Sequence, residues 1–169
     1  LLTEETVTIR NLPEIEDMQV MLEIFAALGG EVSKIATNEY ALTMRKVARN
    51  DIPVALSKKI RASILFAGPL VARSGKAVLP PPGGDVIGRR RLDTHFLALT
   101  ELGARVDVEG LFTFTANKLK GKDIFLDEAS VTATENAVMA AVTAEGQTVI
   151  TNAASEPHVQ DLCRMLNGM

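Results

Sequence analysis

The chain has 169 residues, 47% of them hydrophobic and 23% charged, with a net charge of −3; that suffices for one domain with a real core and offers nucleic acid no electrostatic handle. No apolar run reaches the roughly 18 residues that a membrane-spanning helix needs, and the opening stretch, with Glu4 and Glu5, does not read as a signal peptide. A single cysteine, Cys163, excludes an internal disulfide, and with His95 and His158 it gives no metal-ligand spacing, so a cytoplasmic protein without nucleic-acid or membrane partners is the simplest reading.

Leu1-Leu2 opens the chain without an initiator methionine, and residues 166–169 close it within a helical pattern, so it reads as a piece of something longer. Residues 5–9 alternate as a strand and lead to a helix predicted over 17–28, with Met21, Leu22, Phe25 and Leu28 on one face. Gly29-Gly30 stop it. Short strands follow over 32–35 and 40–44. Residues 57–72 form an apolar, alanine-rich helix, with a kink expected at Gly68-Pro69. A second alternating strand, 75–79, leads to an amphipathic helix over 94–102, and strands are predicted at 106–108, 111–115 and 124–126. A second alanine-rich helix over 134–144 precedes the strand 146–150, and a last amphipathic helix starts near Val159. Cys163 packs on that helix as a small hydrophobe.

Ile9, Leu79 and Ile150 recur 70 and 71 residues apart, which marks a repeating strand-helix-strand-strand-helix unit. The alanine-rich helices are apolar on most faces and should be buried, with sheets outside them. One α/β domain over 1–169 with pseudo-threefold strand-helix repeats and buried helices is therefore expected. The helix belonging to the first strand is truncated to its tail at Leu1-Leu2.

The segment 79–91 is the most unusual. Three prolines stiffen its entry, Gly83, Gly84 and Gly88 permit close backbone approach, and Asp85 precedes the run Arg89-Arg90-Arg91. An acid beside guanidinium forks suits an anionic substrate; a connecting loop with a solvated charge run is the plainer alternative. Arg61, near the start of a buried helix, needs a partner that an anionic ligand would supply, unless it snorkels to the surface. Asp93 is well placed to cap the helix that follows it, and Ser130, Thr132 and Thr134 are candidate caps for the next. His95 and His158 read as helix-surface or substrate-rim residues without catalytic duty.

Arg61-Ala62-Ser63, residues 68–73, Pro82-Gly83-Gly84 with Ile87-Gly88 and Arg90, Asp93, Leu119-Lys120-Gly121, Ser130-Val131 with 133–136, residues 144–146 and 148–150, Asn152-Ala153-Ala154 and Glu156-Pro157 together resemble the UDP-N-acetylglucosamine enolpyruvyl transferases. The resemblance runs without a gap over essentially the whole chain, which would be under half of such an enzyme. It implies an inside-out α/β barrel of three repeats, one of two such domains in the enzyme, here the one that carries the active-site loop. It also implies a reaction. The 3′-hydroxyl of UDP-N-acetylglucosamine adds to C2 of phosphoenolpyruvate while C3 is protonated, and the tetrahedral adduct then loses phosphate. This is the first committed step towards peptidoglycan precursors. No metal or organic cofactor is implied. Because the second domain of the same enzyme supplies part of the site, the chain alone should be inactive.

Carried over position by position, Asp85 falls on the family's loop cysteine, linked to general-acid protonation and product release. Arg61 matches a substrate-site arginine. The stretch Arg90, Arg91, Leu92, Asp93 and Thr94 matches one that binds the uridine nucleotide, and Glu128, Ala129, Ser130 and Val131 match a second. A helix N-terminus at the second stretch would favour a diphosphate. Arg91 stands in place of a usual proline and Thr132 in place of a usual glycine. A carboxyl normally titrates near 3.9, so Asp85 must be held protonated to deliver a proton; phosphoenolpyruvate would raise its pKa and the arginine run would lower it. Because a carboxylate is a weaker nucleophile than a thiolate, resistance to epoxides such as fosfomycin is expected. The alternatives are a paralogue that binds nucleotide sugar without turnover, an assembly domain and, ranked below these, the shikimate-pathway enolpyruvyl transferase.

Overall fold

The computed structural model describes residues 1–84 and 91–169. Strand β1 (Val7–Arg10) leads to helix α1 (Glu16–Ala27) and the strands β2 (Glu31–Ala36) and β3 (Glu39–Thr43). A single turn, α2 (Val54–Ser57), a 3-10 segment (Arg61–Phe66) and α3 (Ala67–Ser74) come next. They are followed by β4 (Lys76–Leu79), α4 (Asp93–Glu101), β5 (Arg105–Asp107) and β6 (Phe112–Thr115). The chain continues through β7 (Asp123–Phe125), α5 (Val131–Ala141), β8 (Val149–Thr151) and α6 (Pro157–Asn167).

The inside-out barrel is the expectation that fails. Among the described residues the strands make three open sheets, ordered β1-β3-β2, β4-β6-β5 and β7-β8. Closing a barrel requires each outermost strand to hydrogen-bond onward until no edge remains. Here the first two sheets are antiparallel and the third is a parallel pair, Ile124 opposite Ile150. The far side of β4 takes only an isolated bridge: Ile52 N donates to Val78 O at 3.0 Å and Val78 N to Asn50 O at 2.7 Å. Lys120 and Glu145 form a similar isolated bridge near β7 and β8.

The sheets lie around helices α3, α4 and α5, of which α5 packs against both of the others. Ala67, Leu70 and Val71 of α3 and Ala133, Ala137 and Ala140 of α5 are buried. Alanine lets two helices approach closely while both still remove apolar surface from water. From the sheet side Leu79, Phe114, Ile124 and Leu126 close the core, and Ile24 of α1 and Leu28 just after it join it.

Residues 57–72 do not form one kinked helix. Pro69 is third in α3, where its missing N–H would have had no partner within the helix. The break comes earlier, in the 3-10 segment, where Ser63 Oγ donates to Ile60 O at 2.9 Å and competes with regular helix bonding. Beside this segment α1 and α6 leave an open apolar groove of about 360 Å³, lined by Met21, Phe25, Leu65, Pro69, Leu162 and Leu166 among others. Among the described residues no helix is long and apolar enough to cross a membrane.

Candidate functional site

The segment that leads to Asp85 is anchored at Gly83 and Gly84. Gly83 N donates to Ser57 O at 2.9 Å and Gly84 N to Lys58 O at 3.3 Å. Ser57 Oγ lies 3.2 Å from Pro80 O and 3.2 Å from Ser63 Oγ, both buried contacts. A Cβ at Gly83 would fall 1.8 Å from the Lys58 carbonyl oxygen, so only glycine fits there. The close approach that the glycine permits is thus to the protein's own backbone. It brings the loop entry beside Arg61, the first residue of the 3-10 segment. Asp85 and Arg90 lie outside the described residues.

The remaining predicted residues gather where α4 and α5 begin. Arg61 Nη2 donates to the Arg91 carbonyl at 3.2 Å. Arg91 folds back on two carboxylates: Nε donates to Asp93 at 3.1 Å and Nη2 to Asp127 at 2.7 Å. Thr94 is buried, and its hydroxyl donates to the other oxygen of Asp127 at 2.8 Å. Asp127 is therefore a clasp between the two nominated stretches. Its carboxyl is held below the ordinary range, first by the Thr94 hydrogen bond and then by Arg91. The sequence reading missed Asp127, although it directly precedes Glu128.

Asp93 does not cap α4. Leu92 occupies the cap position with helical dihedrals and no side-chain cap, and Asp93 is the first helical residue. It still lies at the positive end of the helix dipole, where an acid is favoured. Ser130 does cap α5, accepting from Ala133 N at 3.4 Å. That is why α5 starts at Val131, three residues before the predicted start. Ser130 N donates to Glu128 O at 2.7 Å, which turns the chain into the helix, and Glu128 and Ala129 are exposed. Thr134 donates back to Ser130 O at 2.8 Å and accepts from Ala154 N at 3.0 Å.

His95 is not on the surface. It is 1% exposed, with Nδ1 2.9 Å from Asn136 Nδ2 and Nε2 3.1 Å from Thr132 Oγ1. Burial, with the Arg61 charge adding to it, pushes its pKa down to about 4, so the ring is neutral at pH 7. Asn136 is fully buried. Its Oδ1 accepts from Gly68 N at 2.9 Å and its Nδ2 donates to Ile64 O at 2.8 Å. A lone amide on the buried face of an alanine-rich helix was the available sequence signal, because a buried amide must find partners. The site thus rests on an outer cluster (Arg91, Asp93, Thr94 and Asp127) and on an inner one (His95, Thr132 and Asn136).

The sequence and the fold have relatives. A UDP-N-acetylglucosamine 1-carboxyvinyltransferase of Treponema denticola is 69% identical over 169 residues, which is 100% of this chain and 40% of that protein. The protein of the same name from Treponema pallidum is 65% identical over the same span, and one from Bradyrhizobium diazoefficiens is 54% identical over 166 residues, 38% of its length. The chain therefore spans about 40% of the length of the Treponema proteins it matches. Among solved structures, the enolpyruvyl transferase NikO from Streptomyces tendae superposes with a TM-score of 0.81 at 23% identity, covering 98% of this chain and 39% of NikO. EPSP synthase from Acinetobacter baumannii gives 0.73 at 19%, covering 96% of this chain and 38% of that one. At such identities the superpositions speak to fold alone. The family model for EPSP synthase (3-phosphoshikimate 1-carboxyvinyltransferase) matches residues 1–169, and the chain belongs to that family.

Proposed function

We propose that the full-length protein transfers the enolpyruvyl group of phosphoenolpyruvate to the 3′-hydroxyl of UDP-N-acetylglucosamine and releases phosphate. The observation that carries this reading is the 69% identity to a UDP-N-acetylglucosamine 1-carboxyvinyltransferase along the whole chain. The 3′-hydroxyl gives up its proton as its oxygen bonds to C2 of phosphoenolpyruvate and C3 takes a proton; C3 then gives up a proton as the bond from C2 to the phosphate oxygen breaks, so the hydroxyl proton is the net one released with phosphate. Arg61 faces the anionic substrate, residues 90–94 and 128–131 hold the nucleotide, and Asp85 supplies the proton. The gathering of Arg61, Arg91, Thr94 and Val131 at one end of α4 and α5 supports those roles. A second domain of the same protein completes the site, so this chain supplies one wall of it. The cytoplasm, where both substrates occur, belongs to the same proposal.

Phosphate release by the full-length protein tests the reading. Release is expected with phosphoenolpyruvate and UDP-N-acetylglucosamine together, and not with shikimate 3-phosphate as acceptor. Calorimetric binding of the nucleotide sugar without phosphate release would establish the non-catalytic paralogue instead. Activity should also survive fosfomycin, and Asp85→Cys should make it sensitive, because a thiolate opens the epoxide where a carboxylate does not. Inactivation of the unaltered protein at ordinary fosfomycin concentrations, with Asp85 alkylated, would remove that role for the side chain.

A further inference from the structure

The hydrogen bonds of the inner cluster have a fixed direction. A backbone N–H can only donate, so the oxygen of Asn136 must face Gly68 N, 2.9 Å away. The amide nitrogen of Asn136 is then the donor to Ile64 O and to His95 Nδ1. An Nδ1 that accepts leaves the ring proton of a neutral histidine on Nε2. Nε2–H therefore donates to Thr132 Oγ1 at 3.1 Å. With its oxygen already accepting from His95, the Thr132 hydroxyl has its own proton left to give. Among the described residues His95 is its single hydrogen-bond partner.

Thr132 is the second residue of α5 and is half-buried, between the starts of α4 and α5 where the other site residues converge. We propose that Thr132 is a further substrate contact, its hydroxyl donating to an acceptor oxygen of the nucleotide sugar, with His95 and Asn136 as the positioning residues that fix this direction. The inference rests on the proposed reaction and deepens it. The environment favours an electron-rich partner: Arg61 is near enough for its charge to act on His95, and Thr132 lies in the first turn of α5, at the positive end of that helix dipole. Asp127 faces the same region with its charge engaged by Arg91 and Thr94.

Steady-state kinetics of the full-length protein test the proposal. Thr132→Val keeps the shape and removes the hydroxyl; it should raise KM for UDP-N-acetylglucosamine about tenfold, as loss of one good hydrogen bond would. KM for phosphoenolpyruvate should stay unchanged, and Thr132→Ser should restore the original value. Asn136→Asp replaces the donor to His95 Nδ1 with an acceptor. It should move the ring proton to Nδ1, turn the Thr132 hydroxyl back towards Nε2 and raise the same KM. The double variant with Thr132→Val should be no worse than either alone. If Asn136→Asp does not fold, the valine and serine pair still decides. An unchanged KM in Thr132→Val, or a rise that serine does not reverse, overturns the proposal. Absence of turnover in the unaltered protein would instead overturn the proposed reaction itself.

Discussion

Arg91 and Asp127 meet in the open, their side chains 46% and 39% exposed, whereas His95 and Asn136 meet where solvent does not reach. Arg91 and Asp127 lie just before α4 and α5, whereas His95 and Asn136 lie within the first two turns of those helices. The outer pair carries full charges, and water screens them, so such a contact contributes little net stability. The inner pair is neutral, yet each of its atoms replaces a hydrogen bond that water would have made. Orientation at this end of the molecule is therefore set by the uncharged cluster. The charged one, half-exposed to water, holds the two segments less firmly.

Breaking the inner cluster should have the largest effect. Asn136→Leu takes the side-chain partner from Gly68 N–H and from His95 Nδ1 in the core, while the Ile64 carbonyl keeps its bond from Ala67 N–H. At ~1–3 kcal/mol for each stranded group, urea unfolding of the full-length protein should show a loss of about 4 kcal/mol. A loss under about 1 kcal/mol would place the weight elsewhere.

The next effect is that of pH. With the His95 pKa pushed down to about 4 from 6.5, the unfolded chain takes up a proton that the folded chain refuses between those values. Stability from this group is complete above pH 6.5 and falls as pH drops towards 4, by about 3 kcal/mol in all. His95→Gln should flatten that part of the profile, and an equally steep profile in the variant would contradict the assignment. The smallest effect belongs to the outer cluster: Arg91→Ala should leave the urea midpoint almost unchanged, and more nearly so in high salt. A drop in midpoint as large as that of Asn136→Leu would erase the contrast between the two regions.

The contrast also separates what a sequence discloses from what it conceals. Alternation around Ile9, Leu79 and Ile150 and the three-and-four spacing of Met21, Phe25 and Leu28 are local patterns, and they placed β1, β4, β8 and α1 to within a few residues. Local patterns carry no information on whether neighbouring sheets join. Open sheets therefore stand where the resemblance implied a closed barrel. Asn136 finds its partners 41, 68 and 72 residues away, too far for any spacing rule to connect. His95 misled for the same reason: a polar residue on an amphipathic helix reads as surface until its distant partners are known. Arg91 and Asp93 were legible as a charged stretch beside a helix start, but the clasp that Asp127 makes with Thr94 arises only once α4 and α5 are packed.

The protonation of His95 tests the whole scheme most directly. Nitrogen-15 NMR of the full-length protein, labelled at histidine and with His95 assigned by its loss in His95→Gln, reads both ring nitrogens. The fixed direction of the inner hydrogen bonds predicts a bare Nδ1 and a protonated Nε2, unchanged from neutral pH down to the neighbourhood of pH 4. A proton on Nδ1, or a ring that titrates at its ordinary value near 6.5, would contradict it.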